Sequence, residues 1–224
     1  MNVGHWVSKR ALLYPERPFL KEDDQELDNL RFNARVNQAA HALAELGVAK
    51  EVRVVALMTN SSAFLEVFFA CAKTGAIIVP VNTNLAMPEL AYIIGDCAPQ
   101  VVIYSPDAVD KVAHLKTTLG AGVHYLIHGG MASSQDKSLQ DVVKDQLSAE
   151  PTNGEAVGLD TSLMIMYTSG TTGVPKGAVL SHGNFLFGAI HSLHNYHLDE
   201  TCKSLVVAPL FHIGALAASV MPVV

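Results

Sequence analysis

The sequence predicts an α/β domain in which sheet and helices form layers. Apolar, β-branched runs typical of buried strands alternate with helix-like stretches from one end of the chain to the other. Half of the 224 residues are apolar and 16% are charged, against about 25% charged in a typical soluble domain. Strands buried on both faces produce this composition. The length allows a sizeable core without cross-links, so a small disulfide or metal scaffold is excluded.

The first helix is predicted from spacing and from its stop signal. Val36, Ala40, Leu43 and Leu46 recur at helical intervals, and Gly47 follows as a residue suited to a left-handed cap. The sequence therefore predicts a helix that ends at Gly47.

A strand over residues 52–58 and a second helix come next. Residues 60–62, Asn-Ser-Ser, supply side chains that cap a helix N-terminus. Gly75 is the predicted stop of that helix. Its apolar face is wide, which predicts a deeply buried helix; it consists of Phe64, Leu65, Phe68, Phe69 and Ala72.

The remaining elements follow the same alternation. Further helices are predicted over residues 88–94, 108–119 and 184–196, the first opening at Pro88, which a first helical turn tolerates. Further strands are predicted over residues 76–81, 101–104, 123–127, 163–168, 178–181 and 204–208. Two connections rich in Gly, Ser or Pro, at 129–134 and 148–158, are possible subdomain edges.

Charge and cysteine content limit the partners and the compartment. Fifteen Lys and Arg against 21 Asp and Glu give a formal net charge of −6, without a basic run, so no nucleic-acid partner is expected. Three widely spaced cysteines without a CxxC pair predict reduced thiols in the cytoplasm. The amino terminus lacks the order of a secretory signal. The most apolar window, residues 205–224, is interrupted by Pro209, His212 and Pro222, so no transmembrane segment is expected.

The segment YTSGTTGVPKG, residues 167–177, carries the clearest chemical signal. Glycines let backbone N–H groups turn toward an anion, while hydroxyls and an ammonium group can donate to phosphate oxygens. The segment is neither a Walker A loop nor a GxGxxG motif, and by composition alone it also fits a solvated hairpin. The candidate phosphate-binding residues are Thr168, Ser169, Gly170, Thr171, Thr172, Gly173 and Lys176.

Residues 167–177 are similar to the signature of the adenylate-forming superfamily, which includes acyl-CoA synthetases, luciferases and peptide-synthetase adenylation domains. LSHGN at 180–184 and PLFHIG at 209–214 resemble the acyl-CoA synthetase branch in particular. The resemblance covers nearly the whole chain. Other matching segments are RVN at 35–37, ALAELGV at 42–48, AKTGA at 72–76, VPVN at 79–82 and ELAYI at 89–93.

The resemblance implies a two-step ligase. A carboxylate attacks the α-phosphate of Mg·ATP to give acyl-AMP and pyrophosphate, and the thiol of coenzyme A then displaces AMP. In such a reaction the 168–173 loop would hold the ATP phosphates and Lys176 would add positive charge where negative charge accumulates. The implied cofactors and co-substrates are ATP, Mg²⁺ and CoA, with a fatty or similarly apolar carboxylic acid as substrate.

His212 is the second candidate catalytic residue. A lone histidine in an apolar stretch is more often a satisfied core residue, but the resemblance places the matching histidine beside the acyl and pantetheine path. It thereby implies that Phe211, His212 and Gly214 bind substrate. His191, His194 and His197 recur at i, i+3, i+6, which fans their rings around a helix, so no metal site is predicted.

The resemblance further implies that residues 1–224 are a truncated, amino-terminal part of an AMP-binding domain. Relatives have a later Mg²⁺- and ribose-binding half and a carboxy-terminal lid domain, whose motifs this sequence does not contain. The isolated chain is therefore expected to be inactive and to self-associate through the apolar face that the truncation leaves uncovered. Two alternatives stay open: a non-catalytic nucleotide- or acyl-binding module, and a fragment of an aryl- or amino-acid-adenylating enzyme.

Overall fold

The computed structural model describes residues 2–119, 122–130, 136–152, 156–168, 174–199 and 201–224. Its helices are α1 Gly4–Leu13, α2 Asn29–Glu45, α3 Ser62–Thr74, α4 Met87–Cys97, α5 Val109–Leu119, α6 Leu139–Val143 and α7 His182–Tyr196. Its strands are β1 Pro18–Glu22, β2 Gln25–Asp28, β3 Arg53–Leu57, β4 Ile77–Pro80, β5 Val101–Tyr104, β6 His124–Ile127, β7 Lys137–Ser138, β8 Ser162–Thr168 and β9 Lys176–Ser181.

Seven strands form the main sheet in the order β7-β6-β5-β3-β4-β8-β9. The pairs from β7 through β8 are parallel, and β9 is antiparallel to β8. β1 and β2 make a separate antiparallel hairpin. The strands β3, β4 and β8 are neighbours and run parallel, so the turns that follow them lie together at the carboxyl end of the sheet.

Two hydrophobic clusters cover the two faces of the sheet. Alternate residues of a strand point to opposite faces: Val54 and Ala56 of β3 join the cluster of α1, α2, α3 and α7, whereas Val55 and Leu57 join that of α4 and α5. This arrangement of helices, sheet and helices confirms the layered α/β fold.

The predicted helix signals operate as expected around α3. The Ser61 hydroxyl accepts a hydrogen bond from the Phe64 N–H at the N-terminus. At the C-terminus, Gly75 has a φ of +79°, and a Cβ there would lie 2.9 Å from Cγ2 of Val157. Only glycine combines this backbone conformation with that space, so Gly75 ends the helix.

The predicted strand at 204–208 is wrong. Among the described residues this segment pairs with no strand, and it runs over the surface with Leu205 84% and Val207 80% exposed. Its continuous run of apolar residues, two of them valines, favours an extended backbone, but a strand requires a partner for its N–H and C=O groups. The hairpin of β1 and β2 and the helix α1 were not predicted at all.

The apolar end of the chain packs as irregular helix. Ala215–Val220 is a π-helix and Met221–Val223 a 3₁₀ turn, and Ala215, Leu216 and Val220 join the cluster on α1 and α7. Within the described part of the chain, none of the helices combines the length and the apolar character that crossing a bilayer demands.

Candidate functional site

A cavity of about 180 Å³ opens where β4 and β8 end. In open α/β sheets, ligands bind outside the carboxyl ends of the strands, so its place in the fold is that of a binding site. The cavity is lined by residues from the ends of β4 and β8, from α4 and its preceding loop, and from two later loops: Pro80, Val81, Asn82, Leu85, Glu89, Ile93, Tyr167, Thr168, Pro175, Phe211 and His212.

The β8–β9 hairpin brings the signature segment to this cavity. Thr168, the last residue of β8, pairs with Lys176, the first of β9, and both side chains are exposed. The intervening Ser169, Gly170, Thr171, Thr172 and Gly173 lie outside the described residues. The pairing places the two ends of that loop beside the cavity.

Gly177 has a packing function in the stem of this hairpin. It lies opposite Tyr167 in the register. A Cβ at Gly177 would approach Cγ2 of Ile165 to 2.7 Å and Cζ of Tyr167 to 3.2 Å. The first distance is shorter than real Cβ contacts, and the second is tighter than most of them. The absent side chain therefore leaves room for the tyrosine ring across the strand pair.

Tyr167 fixes the end of β8 to α4. Its hydroxyl donates a hydrogen bond to Oδ2 of Asp96. Burial and this carboxylate raise the pKa of Tyr167, because both disfavour the phenolate. The side chain thus stays a neutral donor, and its ring forms one wall of the cavity.

Phe211 and His212 also line the cavity. Their ring centroids lie 5.0 Å apart, and a backbone hydrogen bond of 3.0 Å from His212 N–H to Pro209 C=O closes the turn that carries them. His212 is exposed, whereas Phe211 is half-buried. The imidazole is therefore not a buried core side chain, which removes the simpler interpretation of this residue.

The predicted site residues are only partly assembled around the cavity. Thr168, Phe211 and His212 line it together. Lys176 stands at the hairpin next to Thr168 but is not a lining residue. Gly214 is exposed at the start of the π-helix, with no atom within 4 Å of a Cβ built there.

Lys111 is a residue of this site that the sequence did not indicate. Its ammonium group reaches from α5 to the loop after β4 and donates to the carbonyls of Thr83 and Leu85, the latter at 2.9 Å. It thereby orders the loop that presents Asn82 and Leu85 to the cavity. A lysine 26 residues from its acceptor leaves no local pattern that could predict this contact.

Clustered metal-ligating side chains are not found among the described residues. These residues contain no group of three or more His, Cys, Asp and Glu side chains placed to hold an ion. We therefore assign no Mg²⁺ ligand to them.

Comparison with known proteins places this geometry in a family. The profile of the family described as AMP-binding enzyme matches residues 7–224. A feruloyl-CoA synthase of Amycolatopsis is 34% identical over 99% of the chain, and an indoleacetate–CoA ligase of Aromatoleum aromaticum is 32% identical over 99%. A long-chain-fatty-acid–CoA ligase of Mycobacterium tuberculosis is 34% identical over 96%. The chain spans 42–43% of the length of these three relatives.

Solved structures agree in fold. A Rhodopseudomonas palustris protein assigned to the long-chain-fatty-acid CoA ligases superposes with a TM-score of 0.90 at 30% identity, covering 99% of this chain and 55% of the other. The inhibitor-bound N-terminal domain of a Mycobacterium tuberculosis protein, FACL13, gives 0.80 at 32% identity, covering 99% and 54%. The layered fold is thus that of the N-terminal domain of adenylate-forming enzymes.

Proposed function

The chain belongs to the AMP-binding enzyme family, and from that premise we propose that it supplies the phosphate loop and part of the acyl site of an ATP-dependent carboxylic acid–CoA ligase. In the first step a carboxylate oxygen bonds to the α-phosphorus and the bond from that phosphorus to the bridging oxygen breaks, releasing pyrophosphate. In the second step the CoA sulfur, having lost its proton, bonds to the acyl carbon and AMP leaves.

One observation carries the proposal: the ends of the signature loop and the Phe211–His212 turn border the same cavity at the carboxyl ends of β4 and β8. A phosphate-binding loop and an acyl-binding wall must lie side by side, because the carboxylate attacks a phosphorus atom of the bound nucleotide. A solvated hairpin with no ligand would not require this juxtaposition.

In this proposal the hairpin holds the leaving group. The β- and γ-phosphates of ATP are bound by the residues of the signature loop: Thr168, Ser169, Gly170, Thr171, Thr172, Gly173 and Lys176. Phosphoryl and nucleotidyl transfers depend mainly on positioning and charge neutralisation. Lys176 supplies a fixed positive charge as the pyrophosphate gains negative charge, and bound Mg²⁺ would neutralise further phosphate charge.

The Phe211–His212 turn receives the acid. Phe211 lines the cavity together with the apolar side chains of Val81, Leu85 and Ile93. The exposed imidazole of His212 can hydrogen-bond the reacting carboxyl group. Gly214 follows the turn where a side chain could obstruct the substrate. These surroundings favour a fatty or similarly apolar acid.

An aromatic carboxylic acid is the second candidate. It is supported by the feruloyl-CoA synthase and indoleacetate–CoA ligase among the relatives, and the apolar side chains that line the cavity suit an aromatic ring as they suit an alkyl chain. The protein is proposed to act in the cytoplasm, where reduced thiols such as its three free cysteines persist.

Carboxylate-dependent exchange of pyrophosphate into ATP tests the function. The complete protein that contains this chain is assayed with fatty acids of increasing length, ferulate, indoleacetate and 2-succinylbenzoate. Exchange with an apolar acid supports the proposal, and the preferred acid decides between the aliphatic and aromatic candidates. Nucleotide binding without exchange for any acid would favour a non-catalytic binding module instead.

The 224-residue chain alone is proposed not to form acyl-AMP. The same exchange assay applied to the purified chain is expected to give no carboxylate-dependent signal. A clear signal would contradict this part of the proposal.

A further inference from the structure

The Phe211–His212 turn depends on anchors that lie far away along the chain. It follows the irregular, largely exposed stretch 201–208. The backbone–backbone hydrogen bonds described for residues 201–214 all join residues close in sequence, such as His212 N–H to Pro209 C=O. Such a segment has no ladder of strand hydrogen bonds to fix its register. Something else must determine where the two rings lie.

Asn60, in the turn between β3 and α3, makes two hydrogen bonds with this segment. Its Nδ2 donates to the Ala208 carbonyl at 2.9 Å, and its Oδ1 accepts from the Leu210 N–H at 2.7 Å. Both distances are those of good N–H···O hydrogen bonds. The side-chain amide thus pairs with the backbone on both sides of Pro209, which has no N–H to offer.

Capping of α3 does not explain this asparagine. Ser61 is the N-cap, and its hydroxyl accepts from the Phe64 N–H. Both polar atoms of the Asn60 side chain are directed to residues 148 and 150 positions away.

Leu210 completes the anchor. Its side chain is 3% exposed and belongs to the core cluster shared by α3 and α7. The buried leucine sets the depth of the segment, but an apolar side chain is not directional. The paired amide hydrogen bonds of Asn60 are directional, so they select one register for residues 208–210 and hence for Phe211 and His212.

We propose that Asn60 is a positioning residue for the acyl site: by pairing with the backbone at Ala208 and Leu210, it places Phe211 and His212 at the cavity. The placement of the turn stands on the described hydrogen bonds alone, whereas its effect on the acid rests on the proposed ligase function. Asn60 itself is not among the residues that line the cavity, so it would act through the turn and not by contact with the acid or the nucleotide.

Two variants and one matched control test the anchor in the chain itself. Asn60→Ala removes both hydrogen bonds, and Asn60→Asp keeps the acceptor while setting a carboxylate oxygen against the Ala208 carbonyl. Ser61→Ala, at the adjacent residue, removes the α3 cap and leaves the anchor intact. Asn60→Ala and Ser61→Ala are both expected to lower Tm by roughly 2–4 °C.

Hydrogen exchange at the Leu210 amide, under conditions where local opening dominates, distinguishes these variants. Asn60→Ala is expected to accelerate exchange at the Leu210 amide about tenfold or more. Asn60→Asp should accelerate it less than Asn60→Ala does, and Ser61→Ala should change it by less than about twofold. Unchanged Leu210 exchange in Asn60→Ala would overturn the anchor.

Kinetics of the complete ligase test the consequence. Asn60→Ala is expected to raise KM for the acid about fivefold or more while KM for ATP stays within about twofold, and Ser61→Ala to leave both unchanged. Faster Leu210 exchange with an unchanged KM for the acid would overturn the positioning function. If the wild-type protein activates no acid, the proposed function fails, and the exchange measurement still decides whether Asn60 anchors the turn.

Discussion

His182 shows how a motif residue can serve the fold before any ligand is involved. It is fully buried at the start of α7, where its Nδ1 accepts a 3.1 Å hydrogen bond from the Val3 N–H. Among the described residues its Nε2 has no partner. Burial, with smaller contributions from nearby positive charge, lowers the pKa of His182 to about 4. The histidine of LSHGN therefore ties the amino-terminal segment to α7 as a neutral ring.

The pH dependence of stability follows from this shift. Between an unfolded pKa of 6.5 and a folded pKa of about 4, the unfolded chain binds a proton that the folded chain does not. The contribution of His182 to the free energy of unfolding is thus fully present above pH 6.5. It falls by about 3 kcal/mol as the pH decreases to about 4.

Replacement of His182 isolates that contribution. In His182→Asn the amide oxygen can still accept a hydrogen bond from the Val3 N–H, but the side chain does not titrate. The free energy of unfolding should therefore fall between pH 7 and pH 4.5 by about 2 kcal/mol less in this variant than in the wild type. His194→Asn, at an exposed position on the same helix, is the matched control. Equal slopes for the wild type and His182→Asn in urea titrations at several pH values would contradict the assignment.

Lys176 is expected to affect chemistry more than binding. If it stabilises the departing pyrophosphate, Lys176→Ala should lower the rate of adenylation about 10²- to 10³-fold, as removal of one charge-stabilising donor does, while the affinity for the acid stays within about twofold.

The control for Lys176 is Lys137→Ala. Lys137 is also the exposed first residue of an edge strand, but at the opposite edge of the sheet. It should leave both quantities unchanged. Similar losses of rate and acid affinity in Lys176→Ala, measured by pre-steady-state kinetics, would rule out this function of the lysine.

At the scale of elements, the β8–β9 hairpin depends on the glycine opposite Tyr167. Gly177→Ala would bring a methyl group to 2.7 Å from Cγ2 of Ile165. The clash is expected to lower the free energy of unfolding by about 1–3 kcal/mol. In the Ile165→Ala background, where the neighbouring side chain is shorter, Gly177→Ala should cost less than it does in the wild type.

Gly188→Ala is the matched control for this prediction. Gly188 lies within α7, and a Cβ there meets no atom within 4 Å. Alanine should stabilise the helix there by roughly 0.5–1 kcal/mol. A Gly177→Ala variant as stable as Gly188→Ala in denaturant titration would show that the strand pair accommodates the methyl group.

The accuracy of sequence prediction followed the physical strength of each local signal. β5 was predicted with its observed bounds because four β-branched or aromatic residues, all buried, leave no alternative. The hairpin of β1 and β2 was missed since its strands are partly exposed and polar. Asp23, with a φ of +51°, begins the turn between them, and the Asp-Asp pair was its one available signal.

Residues of the candidate site could be predicted from the sequence only where they belong to a recognisable motif. Thr168 and His212 were proposed from the sequence, and both line the cavity. Asn60 and Lys111 were not proposed, because each acts on backbone atoms of a distant segment, and no periodicity or composition records such a contact. Predicting them requires the strand order that brings the turns of β3, β4 and β8 together.

At the scale of the whole molecule, the described residues of α1 and α7 present an exposed apolar surface. We define the α1–α7 surface as the exposed apolar side chains of α1 and α7 that surround a cavity of about 410 Å³. It includes Leu13, Ile190 and Leu193, which are 54%, 50% and 38% exposed. The last four residues of the chain also line this cavity. A contiguous apolar area of this kind usually marks an interface.

We expect the 224-residue chain to self-associate through the α1–α7 surface, because its leucine and isoleucine side chains, about half exposed in the monomer, would leave water on association. Each such burial contributes roughly 1 kcal/mol. In sedimentation velocity, Ile190→Ser/Leu193→Ser should weaken association about tenfold or more. Leu147→Ser, which removes a leucine that is 68% exposed elsewhere on the chain, should not. A wild-type chain that stays a monodisperse monomer at high concentration and binds no hydrophobic dye would contradict the expectation. Association that persists in the double variant but fails in Leu147→Ser would place the interface elsewhere.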